Sequence, residues 1–288
     1  MWEEYLSPSS TQEAVDMLRS YNGEAQIIAG GTDLVLDLSK GTRKAKCLID
    51  IGDIDELKKI DQDGDEIVIG AGVVFSRIIS SKLIQEKAYV LAEAAATIGS
   101  PQIRNTGTVV GNVVSAQPAA DAAVALFALD ARAEIVGSDG KRIVPLGELY
   151  EGVGISKVDS TAEIVTGVRF KALGSNQGSA FMRLAQRKAL ALPVLNAAAT
   201  VAIKGDKFYE SLVVIAPVAT RPFRSEDAEN CLKGASIDKG TIEEAAEAAA
   251  GEANPRDSAL RGSAEYRKKM AKVLVKRAIQ KAVERAKE

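Results

Sequence analysis

The stretch Ile98–Asp130, IGSPQIRNTGTVVGNVVSAQPAADAAVALFALD, decides how the chain is read. Small and polar residues surround GTVVGN (107–112), and a helical run follows Asp121. Gly107 and Gly111 permit positive φ or close approach of a ligand to the main chain. Between them Val109 and Val110 read as strand, which β-branched side chains favour. Asn112 and Ser115 add short polar side chains. Oriented N–H groups in such a loop form a concavity for an anion, and a diphosphate is a natural occupant. Loose glycine spacings are common, so this stretch alone reads first as a tight turn of an ordinary α/β protein.

A second stretch, QIIAGGTDLVL (26–36), bears on that choice. The apolar run Ile27–Ala29 ends at Gly30-Gly31-Thr32-Asp33, which reads as a strand stopping at a turn with outward-facing amides. No Gly-Lys-Ser/Thr follows, so it is not a Walker loop, and it is not the dinucleotide fingerprint GxGxxG. Two Gly/Thr/Asn loops far apart in sequence suit one extended dinucleotide gripped from both sides.

Taken together, AGGTDL (29–34) and SPQIRNTGTVVGN…PAAD (100–121) resemble the FAD-binding medium subunit of the xanthine dehydrogenase and carbon monoxide dehydrogenase family of molybdenum hydroxylases. YLSPSSTQEAVDML (5–18), LIDIGDIDEL (48–57), MRLAQRKALALPVLNAA (182–198) and DSALRGSAEYRKKMAKVLVKRA (257–278) extend the resemblance over nearly the whole chain. It implies an α+β fold: a two-subdomain PCMH-type (VAO-like) FAD-binding domain, then a small C-terminal α+β domain with a three-stranded antiparallel sheet and helices. The expected divisions are 1–54, 55–170 and 171–288.

Composition narrows the chemistry. The chain has 288 residues, 46% of them hydrophobic, enough for two or three packed units. A formal net charge of −2 gives no sign of a nucleic-acid partner. The opening MWEEYLSPSS has neither a basic n-region nor an apolar h-region, and no apolar run nears the ~20 residues that span a bilayer. A cytoplasmic protein without membrane insertion is expected. There is no histidine, which removes the Ser-His-Asp triad and the commonest metal ligand. The two cysteines, Cys47 and Cys231, are far apart and form no CxxC, so neither a disulfide framework nor an iron–sulfur site is expected here. Cys47, in CLIDI, reads as a small buried hydrophobe. Asp61-Gln62-Asp63-Gly64-Asp65 lacks the closing Glu of an EF-hand and reads as a hairpin turn. No catalytic side chain and no metal ligand is assigned, so redox chemistry must come from a bound cofactor.

The rest of the chain supplies the scaffold. Ser10 and Glu13 fit a capping box, and helix 10–23 carries an apolar stripe. Short strands are expected at Ala25–Ala29 and Cys47–Ile51, helices at Phe75–Gln85 and Glu86–Thr97, and a hairpin about Ser138-Asp139-Gly140. Glu163–Phe170 reads as a strand. Ala180–Gln186, Leu195–Ile203 and Phe208–Val214 read as three more. Thr241 and Glu244 suggest a cap for an alanine-rich helix. A long basic helix over Tyr266–Lys287 is expected to turn Tyr266, Met270, Val273, Leu274, Ala278 and Ile279 inward, with its cations solvated.

By resemblance, non-covalent FAD lies between the first two segments. Ile28, Ala29, Gly30, Gly31, Thr32, Asp33 and Leu34 wrap its diphosphate from one side, mostly through main-chain N–H groups. Gly107, Thr108, Gly111, Asn112 and Ser115 match binding positions on the other. Asp121 matches a contact to the polar part of the flavin. Ile98 matches a position near the flavin, Ile164 or Val165 one packing on the ring, and Arg183 a cation near the isoalloxazine. Each has a local rival: Asp33 suits a turn cap, Asp121 a helix N-cap, Asn112 a loop-backbone partner, and Arg183 a surface cation. Val110 stands where the family usually carries glycine, which calls close approach there into question. Ala191 stands where relatives often carry an acid. The resemblance implies an electron-transfer subunit. Electrons come from 2Fe–2S clusters on a small partner subunit, originate at molybdopterin on a large one, and pass through FAD to NAD or another acceptor. A free-standing FAD oxidoreductase and a non-catalytic assembly subunit are the alternatives. The substrate is set on another chain and has no signature here.

Overall fold

The computed structural model describes residues 2–288. Its first elements are β1 (Glu4–Leu6), α1 (Thr11–Ser20), β2 (Ala25–Ile28), α2 (Leu34–Ser39), β3 (Cys47–Asp50), β4 (Ile60–Asp63) and β5 (Glu66–Gly70). Six helices follow: α3 (Phe75–Ser80), α4 (Lys82–Lys87), α5 (Tyr89–Thr97), α6 (Pro101–Arg104), α7 (Val109–Val114) and α8 (Asp121–Ala128). Then come β6 (Arg132–Gly137), β7 (Gly140–Pro145), β8 (Tyr150–Gly152), β9 (Ile155–Ser156) and β10 (Glu163–Lys171). The chain ends with β11 (Gln177–Ala185), β12 (Pro193–Lys204), β13 (Lys207–Ala216), β14 (Phe223–Arg224), α9 (Glu226–Leu232), α10 (Lys239–Glu252) and α11 (Ala264–Ala286).

These elements form two compact units, neither continuous in sequence. One holds the residues up to Arg77 with Ser100–Ala116 and Ala131–Lys171; the other holds Ile78–Gly99, Gln117–Asp130 and Ala172–Glu288.

In the first unit β1, β3 and β2 make a parallel sheet in that order, with Glu4 and Ala25 both opposite Cys47. Helix α1 buries Ala14, Val15 and Leu18, the 3.6-residue stripe expected of it. Ser10 Oγ accepts from Glu13 N–H, and the Glu13 carboxylate turns back onto Ser9 N–H at 2.7 Å. Cys47 is fully buried, as its apolar neighbours predict. The larger sheet is antiparallel, ordered β4-β5-β10-β6-β7. Strands β5 and β10 bury Ile67, Ile69, Val168 and Phe170 by alternation. Ile164 and Val165, in regular register with Val136 and Ile135, are both buried, so both faces of the sheet are covered there; a bulge follows between Val165 and Gly167.

The second unit is a sheet ordered β11-β12-β13-β14 with helices packed on it. The fourth strand extends the three-stranded sheet expected from sequence. It is two residues long, Phe223 and Arg224 opposite Ile215 and Val214, too short to show periodicity. Helix α11 packs on β11 and β12. The approach is close because the facing residues are small: Ala180, Ala197 and Ala199 are fully buried. A Cβ at Gly178 would lie 2.1 Å from Ala282 O and 2.5 Å from Ala286 N. Two arginines of α11 tie the unit together. Arg285 pairs with Glu93 at 2.7 Å and lies 4.1 Å above the Tyr89 ring. Arg267 is 4% exposed and meets no carboxylate. Its guanidinium donates to the carbonyls of Val194 (3.2 Å), Arg256 (2.9 Å) and Pro217.

Four local readings change. Val109 and Val110 open helix α7 instead of forming a strand: Thr108 Oγ1 caps it by accepting from Gly111 N–H at 3.0 Å, and Val109, Val110 and Val113 are buried. A cap plus burial overrides β-branched preference. Residues 75–97 form three helices because Ser81 caps a new one and Ala88 (φ −157°) breaks the run. Helix α10 is capped by Asp238, whose carboxylate accepts from Thr241 N–H, so Thr241 lies inside the helix. Tyr266 is 47% exposed, whereas Leu274, Ala278 and Ile279 face inward as expected.

Gly178→Ala is expected to lower unfolding free energy by about 3 kcal/mol, because the new methyl overlaps helix main chain that has no room to yield. Denaturant titration of the purified protein checks this; an unchanged midpoint would show that α11 shifts without strain.

Candidate functional site

The first loop grows out of β2. The strand stops at Ile28, Gly31 takes φ +65°, and α2 begins at Leu34, with Val35 N–H donating to Gly31 O at 3.0 Å. Only glycine holds that φ without strain. Asp33 precedes the helix at φ −104°, ψ −48°, and its side chain caps nothing. Among the described residues, no group accepts from the main-chain N–H of Gly30, Gly31, Thr32, Asp33 or Leu34. Five donors therefore cluster in one turn, the arrangement that binds anions.

The second loop is built by two short helices. Pro101 opens α6, Ser100 Oγ accepts from Ile103 N–H at 3.4 Å, and Gly107 N–H closes the turn onto Ile103 O at 2.7 Å. Phe75 N–H donates to Gly107 O, and Val109 N–H donates to Val73 O, each at 3.1 Å. These bonds fix Gly107 and Thr108 before α7 starts. Ser115 Oγ donates to Asn112 O at 2.8 Å, and Asn112 is half-buried. The exposed Gly111 has only Thr108 Oγ1 near its Cβ position. Val110 points into the core, 4% exposed, so its side chain leaves the open surface at Gly111 clear.

The two loops touch within this unit. A Cβ on Gly30 would lie 2.1 Å from Thr106 O and 2.9 Å from Gly107 Cα. A Cβ on Gly107 would come within 3.5 Å of Thr32 Oγ1. Main chain lies against main chain, which neither loop shows in isolation. Ile164 and Val165 are buried in β10, against which α7 packs.

The other candidate residues lie in the second unit. Ile98 ends α5 and donates its N–H to Ala95 O at 3.3 Å. Asp121 is the first residue of α8, whose N-cap is Ala120, and its carboxylate is 6% exposed. It accepts from Asn196 Nδ2 at 2.6 Å and Thr97 Oγ1 at 3.0 Å, and faces Arg183 Nε at 3.2 Å. Arg183 also donates to Ala191 O. Burial pushes the Asp121 carboxyl above the usual range, while Arg183, Asn196 and Thr97 pull it back by stabilising the anion. Arg183 is thus no surface cation. Sequence reading missed Asn196 and Thr97. An asparagine inside the apolar strand VLNAAAT was the available signal, because a buried amide requires partners.

No group of His, Cys, Asp or Glu among the described residues could hold a metal ion, and no helix is long and apolar enough to cross a membrane.

Comparison with known proteins identifies the family of the chain. Residues 2–170 match the family model described as the FAD binding domain in molybdopterin dehydrogenase, and 180–282 match the CO dehydrogenase flavoprotein C-terminal domain. The chain is 32% identical over 279 residues to the carbon monoxide dehydrogenase medium chain of Hydrogenophaga pseudoflava, covering 97% of this chain and 96% of that one. It is 29% identical over 282 residues to the xanthine dehydrogenase FAD-binding subunit of Escherichia coli O157:H7, covering 97% and 95%. Among solved structures, carbon monoxide dehydrogenase from Hydrogenophaga pseudoflava superposes with a TM-score of 0.91 at 31% identity, covering 98% of this chain and 97% of that one. Quinoline 2-oxidoreductase from Pseudomonas putida 86 gives 0.91 at 26%, covering 100% and 99%. The chain belongs to the FAD-binding medium-subunit family of the molybdenum hydroxylases, the oxidoreductases whose flavin it carries.

Arg183→Met is expected to cost about 3 kcal/mol of stability, since it strands the buried Asp121 carboxylate. Adding Asp121→Asn should recover part of that loss. A double-mutant cycle by denaturant unfolding measures it, and strictly additive effects would show that the pair is not coupled.

Proposed function

We propose that the junction of the two loops holds the FAD diphosphate and that the chain serves as the electron-transfer flavin subunit of its complex. The supporting observation is the approach of Gly30 to Thr106 and Gly107, beside five main-chain donors that no protein group uses. A diphosphate supplies the acceptors such donors need, and neutral amides hold it with little desolvation cost.

Within this reading Ile28–Leu34 grip from one side, and Gly107, Thr108, Gly111, Asn112 and Ser115 from the other. Thr108 Oγ1 already accepts from Gly111 N–H, so its own proton is left to donate. The Ser115 hydroxyl proton is spent on Asn112 O, which leaves its oxygen as an acceptor. Ile98, Asp121 and Arg183, with Ile164 or Val165, complete the proposed set on the strength of the family pattern. Segments 1–54 and 55–170 carry the cofactor, and 171–288 is the medium-subunit extension. FAD, when bound, supplies the redox chemistry that no side chain here provides. Binding is non-covalent, as the missing histidines and the burial of Cys47 favour.

The proposed partners are a small subunit with 2Fe–2S clusters as electron donor and a large molybdopterin subunit where the electrons originate. Relatives named as medium chains or FAD subunits of dehydrogenases support that assembly. NAD or another diffusible acceptor completes the route, and a cytoplasmic location suits it.

The visible spectrum of the purified protein, before and after adding FAD, tests the reading: a two-banded flavin spectrum released on denaturation is expected. Gly30→Ala, and Gly111→Val combined with Asn112→Ala, should abolish flavin binding while the far-ultraviolet dichroism persists. Asp33→Ala should weaken binding by only about 0.5–1 kcal/mol, because its side chain caps nothing. Full flavin retention in Gly30→Ala would overturn the loop assignment.

A further inference from the structure

We propose that Asn196 is a positioning residue of the flavin site: its buried amide fixes the Asp121 carboxylate against the Arg183 guanidinium as an ion pair of set orientation. This rests on the reading above that counts Asp121 and Arg183 in the cofactor set. Asn196 lies in VLNAAAT (194–200) and is fully buried, as are Ala197, Ala198 and Ala199 after it. Its partners across the sheet are Arg183 on β11 and Ala216 on β13. An amide is thus set into an apolar strand directly opposite the cation.

Three groups meet the carboxylate, and Asn196 gives it direction. Its Nδ2 donates to Asp121 Oδ1 at 2.6 Å. Thr97 Oγ1 lies 3.0 Å from Asp121 Oδ2 and 2.7 Å from Ala94 O, and its single proton is shared between the two acceptors. Arg183 Nε stands 3.2 Å from Oδ2 without an aligned hydrogen bond, so it contributes charge and leaves the orientation open. The amide cannot be turned over, because its oxygen would then face a carboxylate oxygen at 2.6 Å, acceptor against acceptor. Held this way, Asn196 Oδ1 is buried without a donor. An unmatched acceptor is costly, and a leucine of similar shape would avoid that cost. The amide is therefore poorly explained by stability alone. Its bond is strongest to an ionised carboxylate, so it opposes the pull of burial toward the neutral acid.

Few other charges bear on Asp121. Helix α8 packs against α5, β12 and β13. From α5 come Thr97 and, one turn back, Glu93, which Arg285 holds at 2.7 Å. From β12 comes Asn196, with no charge between Pro193 and Ile203. From β13 come the buried Val214 and Ala216. Arg187, in the loop after β11, turns to Leu190 O at 3.0 Å, and Arg224 approaches Asp130, past the far end of α8, at 3.9 Å. While Asp121 is ionised it offsets Arg183. Once it takes a proton, the guanidinium is uncompensated and favours the more negative, reduced flavin.

The test measures the midpoint potential of FAD bound to the full chain against pH, by equilibration with a reference dye. At about pH 6, within the range a buried carboxyl reaches on losing a donor, Asn196→Leu should favour reduced over oxidised FAD about tenfold more than wild type does, a rise of about 30 mV for this two-electron couple. At about pH 9, above that range, variant and wild type should agree. In an Asp121→Asn background, Asn196→Leu should add nothing at either pH. Asn196→Ala, which inserts no new atoms, repeats the measurement if the leucine variant fails to fold. A shift equal at both pH values, or one that persists in the Asp121→Asn background, would show a merely structural role and overturn the proposal. Wild-type potentials in both Asn196 variants, with a shifted potential in Asp121→Asn, would overturn the proposal and leave the flavin reading intact. An unchanged potential in Asp121→Asn would remove Asp121 from the flavin set and overturn the proposal with it.

Discussion

Main chain approaching main chain at Gly30 is the constraint on which the first unit depends. A methyl group there would fall 2.1 Å from Thr106 O, well inside any tolerable contact. The glycine therefore does more than allow a turn: it sets how near the loop from β2 comes to the loop between α6 and α7. Everything around it serves that spacing. The parallel sheet ends β2 at Ile28, the helix caps of α6 and α7 fix the opposite turn, and the bonds from Phe75 and to Val73 hold it against the rest of the unit. The result is a set of amides with no internal partner, a costly arrangement unless a ligand supplies the missing acceptors.

The second unit is governed by close packing and satisfied charge. Alanines and Gly178 let α11 lie against β11 and β12, and the charges that remain inside are each matched. Asp121 has two hydrogen-bond donors and the Arg183 guanidinium beside it. Arg285 has a carboxylate and an aromatic face. Such networks rigidify when every member is satisfied, and removing one partner costs more than the bond itself.

What was legible in the sequence follows from whether the cause is local. The strand and turn at GGTD could be read because an apolar run and two glycines each act within a few residues. The helix 11–20 and the hairpin about Asp139 were legible for the same reason. Val109 and Val110 were misread because intrinsic preference is weak: the local Thr108 cap was passed over, and the burial of three valines comes from tertiary placement. The Gly30–Thr106 approach was invisible because it joins residues far apart in the chain. The Asp121–Asn196 bond was hidden likewise, although an asparagine within an apolar strand announced that some partner had to exist. The family resemblance supplied the candidate residues; the structure shows that Arg183 and Asp121 also satisfy each other.

Arg267 holds three stretches of the second unit through peptide carbonyls alone. A guanidinium bound to carboxylates is released when acid protonates them, but a peptide carbonyl does not titrate in that range. Burial lowers the guanidinium's proton affinity below its ordinary value, and acid only reinforces its charge. The joint between α11, the start of β12 and the segment after β13 is therefore indifferent to acidification. In falling pH the region around Arg267 should therefore keep its order.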